Sequence, residues 1–416
     1  MSTTLRTLAA ALTTTVLLAA PAVAVKRRAF VTSVSGNGNL NSWPDAGGLF
    51  ALAAGDAICR ARANAAGLPF ANSYRVWLST ATTDAYCHVQ GQTGEKATGC
   101  SGSPLPRGPW YRVDGTTAFA ADLDELTGNL HEVYTGVLQE EDGTVLTATD
   151  PSGYWTGTSA SGEGVSETCS SWVVAAADVQ GRTGTALSSA VRWTEAFSTA
   201  CDQDRRLLCL EPGLSDPVPV VPWQPAALAF VTSMTGNGNL GQWPVAGDAT
   251  GIEAGDEICC ALAAIEHLPA PESFVAWLSD SQTDARDRLT LAGVPYRRLD
   301  HRVVATSKAD LVDGTNLDSL HVDETGSYVD DFLVVATGTL ADGTWEGSSC
   351  DDWTASPSTN VRSGYASSLN GGTWTAGVGS ACITSKRLYC FSNVVTIFWD
   401  GFELTGDASR WSSASP

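Results

Sequence analysis

The chain has 416 residues, which is long enough for two domains with substantial cores, and its formal net charge is -21 at pH 7. A surface this acidic repels phosphate backbones and other polyanions, so composition excludes nucleic acid as a partner. After the N-terminal segment no stretch approaches 18 uninterrupted apolar residues, so the sequence predicts no membrane span.

Residues 1–24 are typical of a cleaved secretory signal. Arg6 precedes an apolar run that is too short to cross a bilayer, and the small residues Ala22-Val-Ala24 follow it. Eleven cysteines in an exported chain favour disulfides over metal thiolates, and the chain has no C-x-x-C motif. We therefore expect a secreted or surface-displayed protein, and its excess of arginine over lysine is typical of a GC-rich bacterium.

One stretch of the chain occurs twice, at Ala29–Leu40 and Ala229–Leu240, with ten of twelve positions identical. A repeat this long is a whole domain, because solenoid and propeller units have about 20 to 50 residues. The duplication predicts a first domain at 29–211, a Pro-rich, extended linker at 212–228, a second domain at 229–392 and a C-terminal tail at 393–416.

Each repeat opens with a short predicted strand, Phe30–Ser33 or Phe230–Ser233, and then a turn rich in Gly and Asn. We attribute the glycines to positive backbone φ angles. In the second copy the turn spells G-x-G-x-x-G, but Trp243-Pro244 stands where the helix of a nucleotide-binding motif should begin. The motif therefore predicts a turn and not a phosphate site.

An alanine-rich helix is expected next, at about 51–66 and 251–266. The predicted strands that follow, 74–79 and 274–279, alternate bulky and small residues. Trp77 and Trp277 occupy matching positions in these strands. We expect both indoles to lie in the core.

The first copy then carries an insertion that contains Cys87 and Cys100, neither of which has a counterpart in the second copy. Gly, Ser and Pro residues flank the insertion, as is usual in surface loops. The short separation of the two cysteines predicts a disulfide between them that closes this loop.

Acidic segments follow at 121–136 and 309–326, and we align His131 with His321 between them. A matched histidine beside carboxylates suggests a metal site or an acid–base site. His131-Glu132 lacks the second histidine of H-E-x-x-H, however, and the acids lack the spacing of a calcium loop. We interpret each segment as a capped helix on the surface.

Variable loops at 139–152 and 327–333 come next, after which the copies match again through their shared cysteines and tryptophans. With these cysteines placed, the arrangement resembles a C-type-lectin fold, in particular its endostatin-like branch. The W-L-S strands resemble the family's W-I-G-L strand, and Gly364–Gly372 resembles endostatin. The opening F-V-T-S and G-N-L resembles bacterial secreted proteins such as leptospiral endostatin-like surface proteins. The resemblance implies an α+β fold class with two tandem, disulfide-bonded C-type-lectin-like domains.

The resemblance also implies a disulfide pattern, in which the first and last shared cysteines of each domain pair and the two middle ones pair. The implied pairs are Cys59–Cys209, Cys169–Cys201, Cys259–Cys390 and Cys350–Cys382. Cys260 follows Cys259 on the same predicted helix, where adjacent residues point about 100° apart. Cys260 is therefore predicted to be unpaired, or to link two copies in a disulfide-bonded dimer.

The sequence departs from the sugar-binding branch of the family at its calcium ligands. E-P-N and Q-P-D are missing from the long loop, and Val191–Thr194 and Thr373–Ala376 replace the family's W-N-D. The zinc-binding histidines and the basic heparin surface of endostatin are also missing. We therefore expect no metal and no cofactor, and binding that does not require calcium.

The duplication favours a binding or adhesion protein, because two tethered sites raise avidity when both can engage. We expect its ligand to be an extracellular protein or glycan. The loops before the second shared cysteine vary in lectin-like folds, so Tyr154, Trp155 and Trp345 are candidate contact residues. Core packing is the favoured interpretation of all three, most strongly of Trp155, which lies next to the matched T-G-T.

No catalytic residues are predicted, since the chain lacks G-x-S-x-G and has only five histidines. Two alternatives remain beside the binding protein. One is a secreted hydrolase, for example a glycosidase that uses paired carboxylates. The other is a purely structural component of the cell envelope.

Overall fold

A computed structural model describes residues 25–128, 133–147, 150–313, 316–329, 333–369 and 371–397. The predicted signal segment, His131 and tail residues 398–416 lie outside the described residues. The described chain forms two α+β modules, module 1 (25–214) and module 2 (226–397). In the part of the chain that is described, no helix is long and apolar enough to cross a membrane.

Module 1 is built on one large sheet with three helices. Its strands are β1 (Arg27–Val31), β2 (Arg75–Val76), β3 (Arg107–Gly108), β4 (Trp110–Tyr111), β5 (Ala118–Ala120), β6 (Gly153–Trp155), β7 (Gln180–Thr185), β8 (Phe197–Ala200), β9 (Arg206–Leu210) and β10 (Gly213–Leu214). Its helices are α1 (Ala51–Ala65), α2 (Ala85–Val89) and α3 (Leu123–Thr127). The strand order is β5-β4-β1-β9-β6-β7-β8, and β2 also pairs with β9.

Module 2 repeats this plan. Its strands are β11 (Ala227–Val231), β12 (Phe274–Ala276), β13 (Tyr296–Arg297), β14 (Val303–Ala305), β15 (Val335–Ala336), β16 (Asn360–Gly364), β17 (Val378–Ala381) and β18 (Tyr389–Ser392). Its helices are α4 (Gly251–Ile265), α5 (Ala285–Arg288), α6 (Lys308–Leu311) and α7 (Gly371–Ala376). The orders β12-β18-β11-β13-β14 and β15-β16-β17 match the pairings of module 1.

The first strand of each module divides its core in two, because successive side chains point to opposite faces of a sheet. In β1, Phe30 packs with the residues of α1, whereas Ala29 and Val31 pack in a second cluster on the other face. Trp77 and Trp277 are buried as predicted, and each donates its indole N–H to a buried threonine hydroxyl at 2.8 Å.

The matched Gly-Asp pair holds the long helix of each module against the next strand. A Cβ atom on Gly55 would lie 2.6 Å from Val76 Cγ1, so glycine is required for α1 to approach β2 this closely. Asp56 accepts a hydrogen bond from the backbone N–H of Val76 at 3.0 Å. Gly255 and Asp256 repeat both contacts on α4.

The glycines of the opening turn serve close packing. Neither Gly36 nor Gly38 has a positive φ, so our explanation of these glycines was wrong. A Cβ on Gly36 would lie 2.5 Å from the Trp43 indole, and one on Gly38 would lie 2.3 Å from Cys169 Sγ. The Trp43 indole also donates to the Asn37 carbonyl at 3.0 Å. The same contacts recur in module 2, which accounts for the near identity of the two stretches.

The chain forms five disulfides. They are Cys59–Cys209, Cys87–Cys100, Cys169–Cys201, Cys259–Cys390 and Cys350–Cys382. These are the pairs that the resemblance and the short spacing of Cys87 and Cys100 led us to expect. Cys260 is unpaired and donates to the Phe274 carbonyl at 3.3 Å. Burial and the nearby Asp256 raise the pKa of this thiol to about 11, which lowers the fraction of reactive thiolate.

The acidic segments align differently in the structure from the alignment made on sequence. In module 1, Glu141 accepts hydrogen bonds from the backbone N–H and the hydroxyl of Ser33. In module 2, Glu324 accepts the same two hydrogen bonds from Ser233. Glu141 and Glu324 are therefore equivalent residues.

This register pairs His321 with Leu138 and not with His131, so the alignment of the two histidines was wrong. The turns that follow are also equivalent, since matching bridges close 139–145 and 322–328. The two copies therefore remain in register through the first part of the predicted variable loops, as far as residues 145 and 328. Spacing alone misled the sequence alignment because the chain lengths before this point differ between the copies.

Each acidic segment does begin with a capped helix. Asp122 accepts from the N–H of Glu125 at 2.9 Å to start α3, and Ser307 accepts from the N–H of Asp310 at 3.1 Å to start α6. Further along the acidic segment of module 2, the prediction that the segment lies on the surface is wrong. Residues 316–323 are mostly buried, because Ser319 and His321 contact module 1 while Leu320 and Val322 pack in the core of module 2.

The two modules pack against each other around a local twofold axis. Leu187–Ser189 and Ser367–Leu369 follow the equivalent strands β7 and β16 and pair with each other in antiparallel fashion. In both directions the last residue of one segment donates its N–H to the first carbonyl of the other at 2.9 Å. Such an interface is isologous, because the same surface is used on both sides.

Each module contributes one buried arginine to this interface, at equivalent positions after β4 and in the turn after β13. Arg112 donates to the Gly136 carbonyl at 2.9 Å, and Arg298 donates to the Ser319 carbonyl at 2.7 Å. Arg298 also reaches across the interface to the Tyr134 carbonyl at 3.1 Å. The guanidinium of Arg298 is therefore shared between the modules.

Two carboxylates neutralise Arg298, which is fully buried. Asp300 accepts two hydrogen bonds from it, at 3.0 and 2.6 Å, and Asp318 lies 3.4 Å from it. Burial alone would raise the pKa of Asp300, but the charge of Arg298 outweighs burial and holds that pKa well below its usual range. Asp300 therefore stays ionised inside the protein.

His321 lies at the centre of the interface and is also fully buried. Its Nε2–H donates to the Val133 carbonyl of module 1 at 2.9 Å. Its Nδ1 lies 2.8 Å from the Ser319 hydroxyl, 3.2 Å from the Ser189 hydroxyl and 3.1 Å from Arg298 Nη1. Since a guanidinium can only donate, Nδ1 must accept. Burial and the charge of Arg298 lower the pKa of His321 to about 3.

We expect acid to destabilise the folded chain through His321. Between its ordinary pKa near 6.5 and its folded value of about 3, the unfolded chain takes up a proton that the folded chain does not. The free energy of unfolding should therefore fall by about 1.4 kcal/mol for each pH unit below 6.5, until pH reaches about 3. Denaturant unfolding at pH 7, 6 and 5 measures this slope.

The matched control is His321→Leu, which installs the residue that module 1 carries at the equivalent position. The variant retains every other titratable group, so the difference between the two slopes belongs to His321. We expect the variant to lose about 1.4 kcal/mol less per pH unit than the parent chain. Equal slopes would contradict the prediction.

The predicted linker is fastened to both modules. Glu211 is fully buried in module 1, and β10 follows it directly. Strand β11 begins at Ala227, inside the predicted linker. Between these strands, Trp223 donates its indole N–H to the Thr396 carbonyl at 3.2 Å. The segment therefore packs against module 2 and does not act as a free spacer.

Candidate functional site

Both modules carry a surface cleft at the same place in the fold. Cleft 1 has a volume of about 480 Å³ and lies between residues 80–84 and 163–168. Cleft 2 has a volume of about 300 Å³ and lies between residues 280–287 and Trp345. In each module the first wall is the loop after the W-L-S strand, and the second wall precedes the second shared cysteine. Both volumes suit a small ligand or part of a larger one.

An aspartate joins the two walls in both modules. Asp84 Oδ1 accepts from the backbone N–H of Gly164 at 2.7 Å, and Asp284 Oδ1 accepts from that of Trp345 at 2.7 Å. The other oxygen of Asp84 accepts from the N–H of Lys96 at 2.7 Å. Because backbone groups occupy both of its oxygens, Asp84 shapes the cleft and is poorly placed for acid–base catalysis.

In both modules a side chain also accepts hydrogen bonds from the backbone of the loop that forms the first wall. Asp280 Oδ1 accepts from the N–H groups of Gln282 and Thr283 at 2.9 and 2.8 Å. At the equivalent position, Thr80 Oγ1 accepts from the N–H of Thr83 at 3.1 Å. These local hydrogen bonds fix the loop without regular secondary structure.

One turn of left-handed helix lies beside each cleft. The four residues of Cys169–Trp172 have φ from 48° to 67°, and those of Cys350–Trp353 have φ from 48° to 63°. This backbone costs L-residues about 1 to 2 kcal/mol each, so it persists only where its surroundings impose it. A disulfide holds the first residue of each turn, and the last residue is a fully buried tryptophan.

The tryptophan of each turn supports the first wall of the cleft from below. Trp172 donates its indole N–H to the Ser79 carbonyl at 2.6 Å, and Trp353 donates to the Ser279 carbonyl at 2.9 Å. Each carbonyl stands at the base of the loop that lines the cleft. The left-handed turn therefore sets where that loop begins.

The third residue of each turn holds the tip of the same loop. Ser171 Oγ accepts from the backbone N–H of Ala81 at 3.2 Å. Asp352 accepts from the N–H of Ser281 at 3.0 Å and from its hydroxyl at 2.6 Å. The hydrogen bonds from Ser281 and Ser349 lower the pKa of Asp352, which keeps this carboxylate ionised. The strained backbone thus positions the wall of the cleft.

Carboxylates line both clefts, and an aromatic ring lies at one of them. The lining acids are Asp84, Glu95 and Glu163 in cleft 1, and Asp280, Asp284 and Asp287 in cleft 2. Trp345 is 37% exposed in cleft 2, where module 1 has Gly164 at the equivalent position. Cleft 2 therefore offers an apolar face beside hydrogen-bond acceptors.

Of the three predicted contact residues, only Trp345 lies at a cleft. Tyr154 and Trp155 are fully buried, so neither is a contact residue, and core packing, the favoured interpretation, is confirmed for both. Tyr154 donates to the Trp193 carbonyl, and Trp155 donates to the Gly36 carbonyl at 3.0 Å. Both lie in β6, whose two faces are covered by the core: Tyr154 packs in one hydrophobic cluster and Trp155 in the other.

Sequence reasoning missed the residues that build the clefts. The tripeptide T-D-A is identical at 83–85 and 283–285, and it contains the aspartate that joins the walls. The spacing C-x-x-W is likewise shared at Cys169–Trp172 and Cys350–Trp353. Comparison of the copies had matched the cysteines and tryptophans and could also have found the tripeptide, but neither signal reveals a left-handed backbone or the approach of two distant loops.

Within the residues that the structure describes, no group of three or more His, Cys, Asp or Glu side chains is arranged to hold a metal ion. The segments that replace the family's W-N-D face the core. Thr194 and Thr375 both accept from the buried indoles of Trp77 and Trp277, respectively. These segments therefore present no calcium ligands at either cleft.

Comparison of the chain with models of known protein families finds no match. Comparison with curated proteins finds no match either. The function is therefore inferred from the geometry and chemistry of the clefts.

Proposed function

We propose that the protein is a secreted or surface-displayed binding protein with two C-type-lectin-like, endostatin-like modules that recognise an extracellular protein or glycan without calcium. The observation that carries this proposal is the cleft that recurs at the same place in both modules. The lining residues differ between the clefts, whereas the aspartate and the left-handed turn that shape them are shared.

The lectin-like part of the proposal rests on residues already described. The W-L-S strands, the long helix tied to the last strand and the disulfide between the two middle cysteines are all features of that family. Export is supported by five disulfides, which persist in oxidising compartments.

The chemistry of cleft 2 suits a sugar or a polar peptide. The Trp345 indole can cover the apolar face of a ligand, while Asp280 and Asp287 accept hydrogen bonds from its hydroxyl or amide groups. Because the modules are docked, the spacing of the two clefts is set by the fold. Avidity then requires a ligand whose repeat matches that spacing.

The experiment is a glycan and protein array probed with the full chain, followed by solution affinity for the strongest ligand. We expect Trp345→Ala to weaken that affinity at least tenfold, about 1.4 kcal/mol, because a central aromatic contact is lost. Since the indole is partly exposed, the variant should keep its fold. Chelation by EDTA should leave the affinity unchanged.

The matched control is Ile383→Ala, which removes an exposed apolar side chain of module 2 outside the cleft. Its affinity should equal that of the parent chain. Uniformly weak binding across the array would contradict the binding function. The protein would then be better explained as a structural component of the cell envelope. Release of product from a glycan ligand would favour the hydrolase instead.

A further inference from the structure

A third cleft occurs in module 1 and is lined by arginines. It has a volume of about 340 Å³ and lies between helix α1, residues 70–75 and residues 212–213. Arg27, Arg60 and Arg75 all line it. Three guanidinium groups at one cleft are unexpected in a chain whose net charge is -21. We refer to this site as the arginine cleft.

The carboxylates that pair with these arginines are buried beneath them. Arg60 lies 3.1 Å and Arg75 lies 3.6 Å from the same oxygen of Asp56, while Arg27 pairs with Glu211. Asp56 is 5% exposed and Glu211 is fully buried. The positive groups therefore form the surface of the cleft, and the negative groups do not.

Arg75 retains its hydrogen-bonding capacity. Among the described residues its guanidinium makes no hydrogen bond, and its ion pair with Asp56 is long. The oxygens of Asp56 are already occupied, Oδ1 by the Val76 N–H and His88 Nε2, and Oδ2 by Arg60. Arg75 is therefore free to donate two parallel hydrogen bonds to a planar acceptor.

Apolar side chains form the rest of the arginine cleft. Phe70 is 59% exposed and Leu105 is 42% exposed. The Phe70 ring lies 4.6 Å from the guanidinium carbon of Arg27, which fixes the ring at the cleft. Phe70 also has a φ of 52°, a conformation that is costly for a bulky residue.

Module 2 shows that the fold does not need these residues. At the positions 200 residues further along, Arg27, Arg60, Phe70 and Arg75 are replaced by Ala227, Cys260, Ala270 and Val275. Ala270 keeps the positive φ of Phe70, so the backbone is the same without the aromatic ring. The arginine cleft is thus an addition to module 1 and not a requirement of packing.

We propose that the arginine cleft binds a carboxylate attached to an apolar group, as in the C-terminus of an apolar peptide or a small arylalkanoic acid. Arg75 and Arg60 donate to the carboxylate, and Phe70 and Leu105 pack on the apolar group. A singly charged anion suits this protein, because its strongly negative overall field repels anions in proportion to their charge.

Titration calorimetry of the full chain with four probes tests the ligand class. The probes are 3-phenylpropanoate, its amide, a peptide that ends in a free C-terminal phenylalanine, and the amide of that peptide. We expect both acids to bind and both amides to bind at least tenfold more weakly. Whichever of the two acids binds more tightly shows whether the cleft prefers a peptide C-terminus or a small arylalkanoic acid. Amides that bind as tightly as the acids would overturn the proposal, and so would inorganic phosphate that binds as tightly as either acid.

Two variants that copy module 2 locate the site. Arg75→Val should weaken binding of the tighter acid by about tenfold to a hundredfold, as expected for lost charge-assisted hydrogen bonds. Phe70→Ala should weaken it about tenfold, and because Phe70 is exposed this variant is not expected to unfold the chain.

The control is Arg205→Val, which removes the same charge at a residue that donates to the neighbouring Asp204 carbonyl. It should bind the acid as the parent chain does. The free energy of unfolding of each variant is measured alongside. Unchanged affinity in both Arg75→Val and Phe70→Ala would place the carboxylate elsewhere and overturn the proposal.

Discussion

Replacement of Cys59 and Cys209 together by alanine should lower the free energy of unfolding of module 1 by about 5 kcal/mol. The disulfide joins residues 150 positions apart, and the chain-entropy model gives about 5 kcal/mol for a loop of that length. A loss of this size is comparable to the whole stability of many domains, so module 1 should unfold in mild denaturant. Denaturant unfolding followed by tryptophan fluorescence measures it.

The internal control is the pair Cys87 and Cys100, whose disulfide spans 13 residues. The same model gives about 3 kcal/mol for so short a loop, so the double alanine variant should lose less stability. If the two double variants lost equal stability, restriction of the unfolded chain would not explain the effect of the long disulfide.

Arg298→Met should cost about 3 to 5 kcal/mol of unfolding free energy at neutral pH. The substitution removes the nearest cation from Asp318, which is buried, and from Asp300, which is half-buried. It leaves them only the longer ion pairs with Arg302, at 3.9 and 3.7 Å, and a buried charge that loses its close partner carries this penalty. It also removes the hydrogen bond to Tyr134 across the interface. We therefore expect faster amide hydrogen exchange on both sides of the interface.

The matched control is Arg112→Met, at the equivalent position in module 1. Arg112 donates to the Gly136 carbonyl and the Thr135 hydroxyl, so its loss leaves neutral acceptors unpaired. We expect a cost of about 1 to 3 kcal/mol. If Arg298→Met left the free energy of unfolding unchanged, or lowered it by less than Arg112→Met does, Arg298 would not neutralise the carboxylates as described.

The sequence comparison located much of the fold because duplication preserves packing residues. Trp77, Gly55 and the shared cysteines recur at matching positions of the two copies, since each fills a space or closes a bond that both modules need. Even so, recurrence did not explain their roles. Gly36 and Gly38 were expected to need positive φ, whereas a tryptophan and a disulfide leave no room for a side chain there.

The candidate sites were harder to predict because they depend on contacts between distant loops. His321 was aligned by spacing, and only the bonds from Ser233 to Glu324 show the true register. Tyr154 and Trp155 are sequence neighbours of a variable loop, yet β6 is an interior strand. The arginine cleft combines five segments whose proximity no periodicity indicates.

The twofold packing of the modules makes the protein a dimer joined within one chain. Association of its halves does not depend on protein concentration, as that of a dimer of separate chains would. Separate identical chains would also carry identical sites, whereas the fused halves are free to diverge. The arginine cleft in one half and the exposed Trp345 in the other show this loss of symmetry. Under the two binding proposals, one molecule would hold two chemically different ligands at a fixed separation.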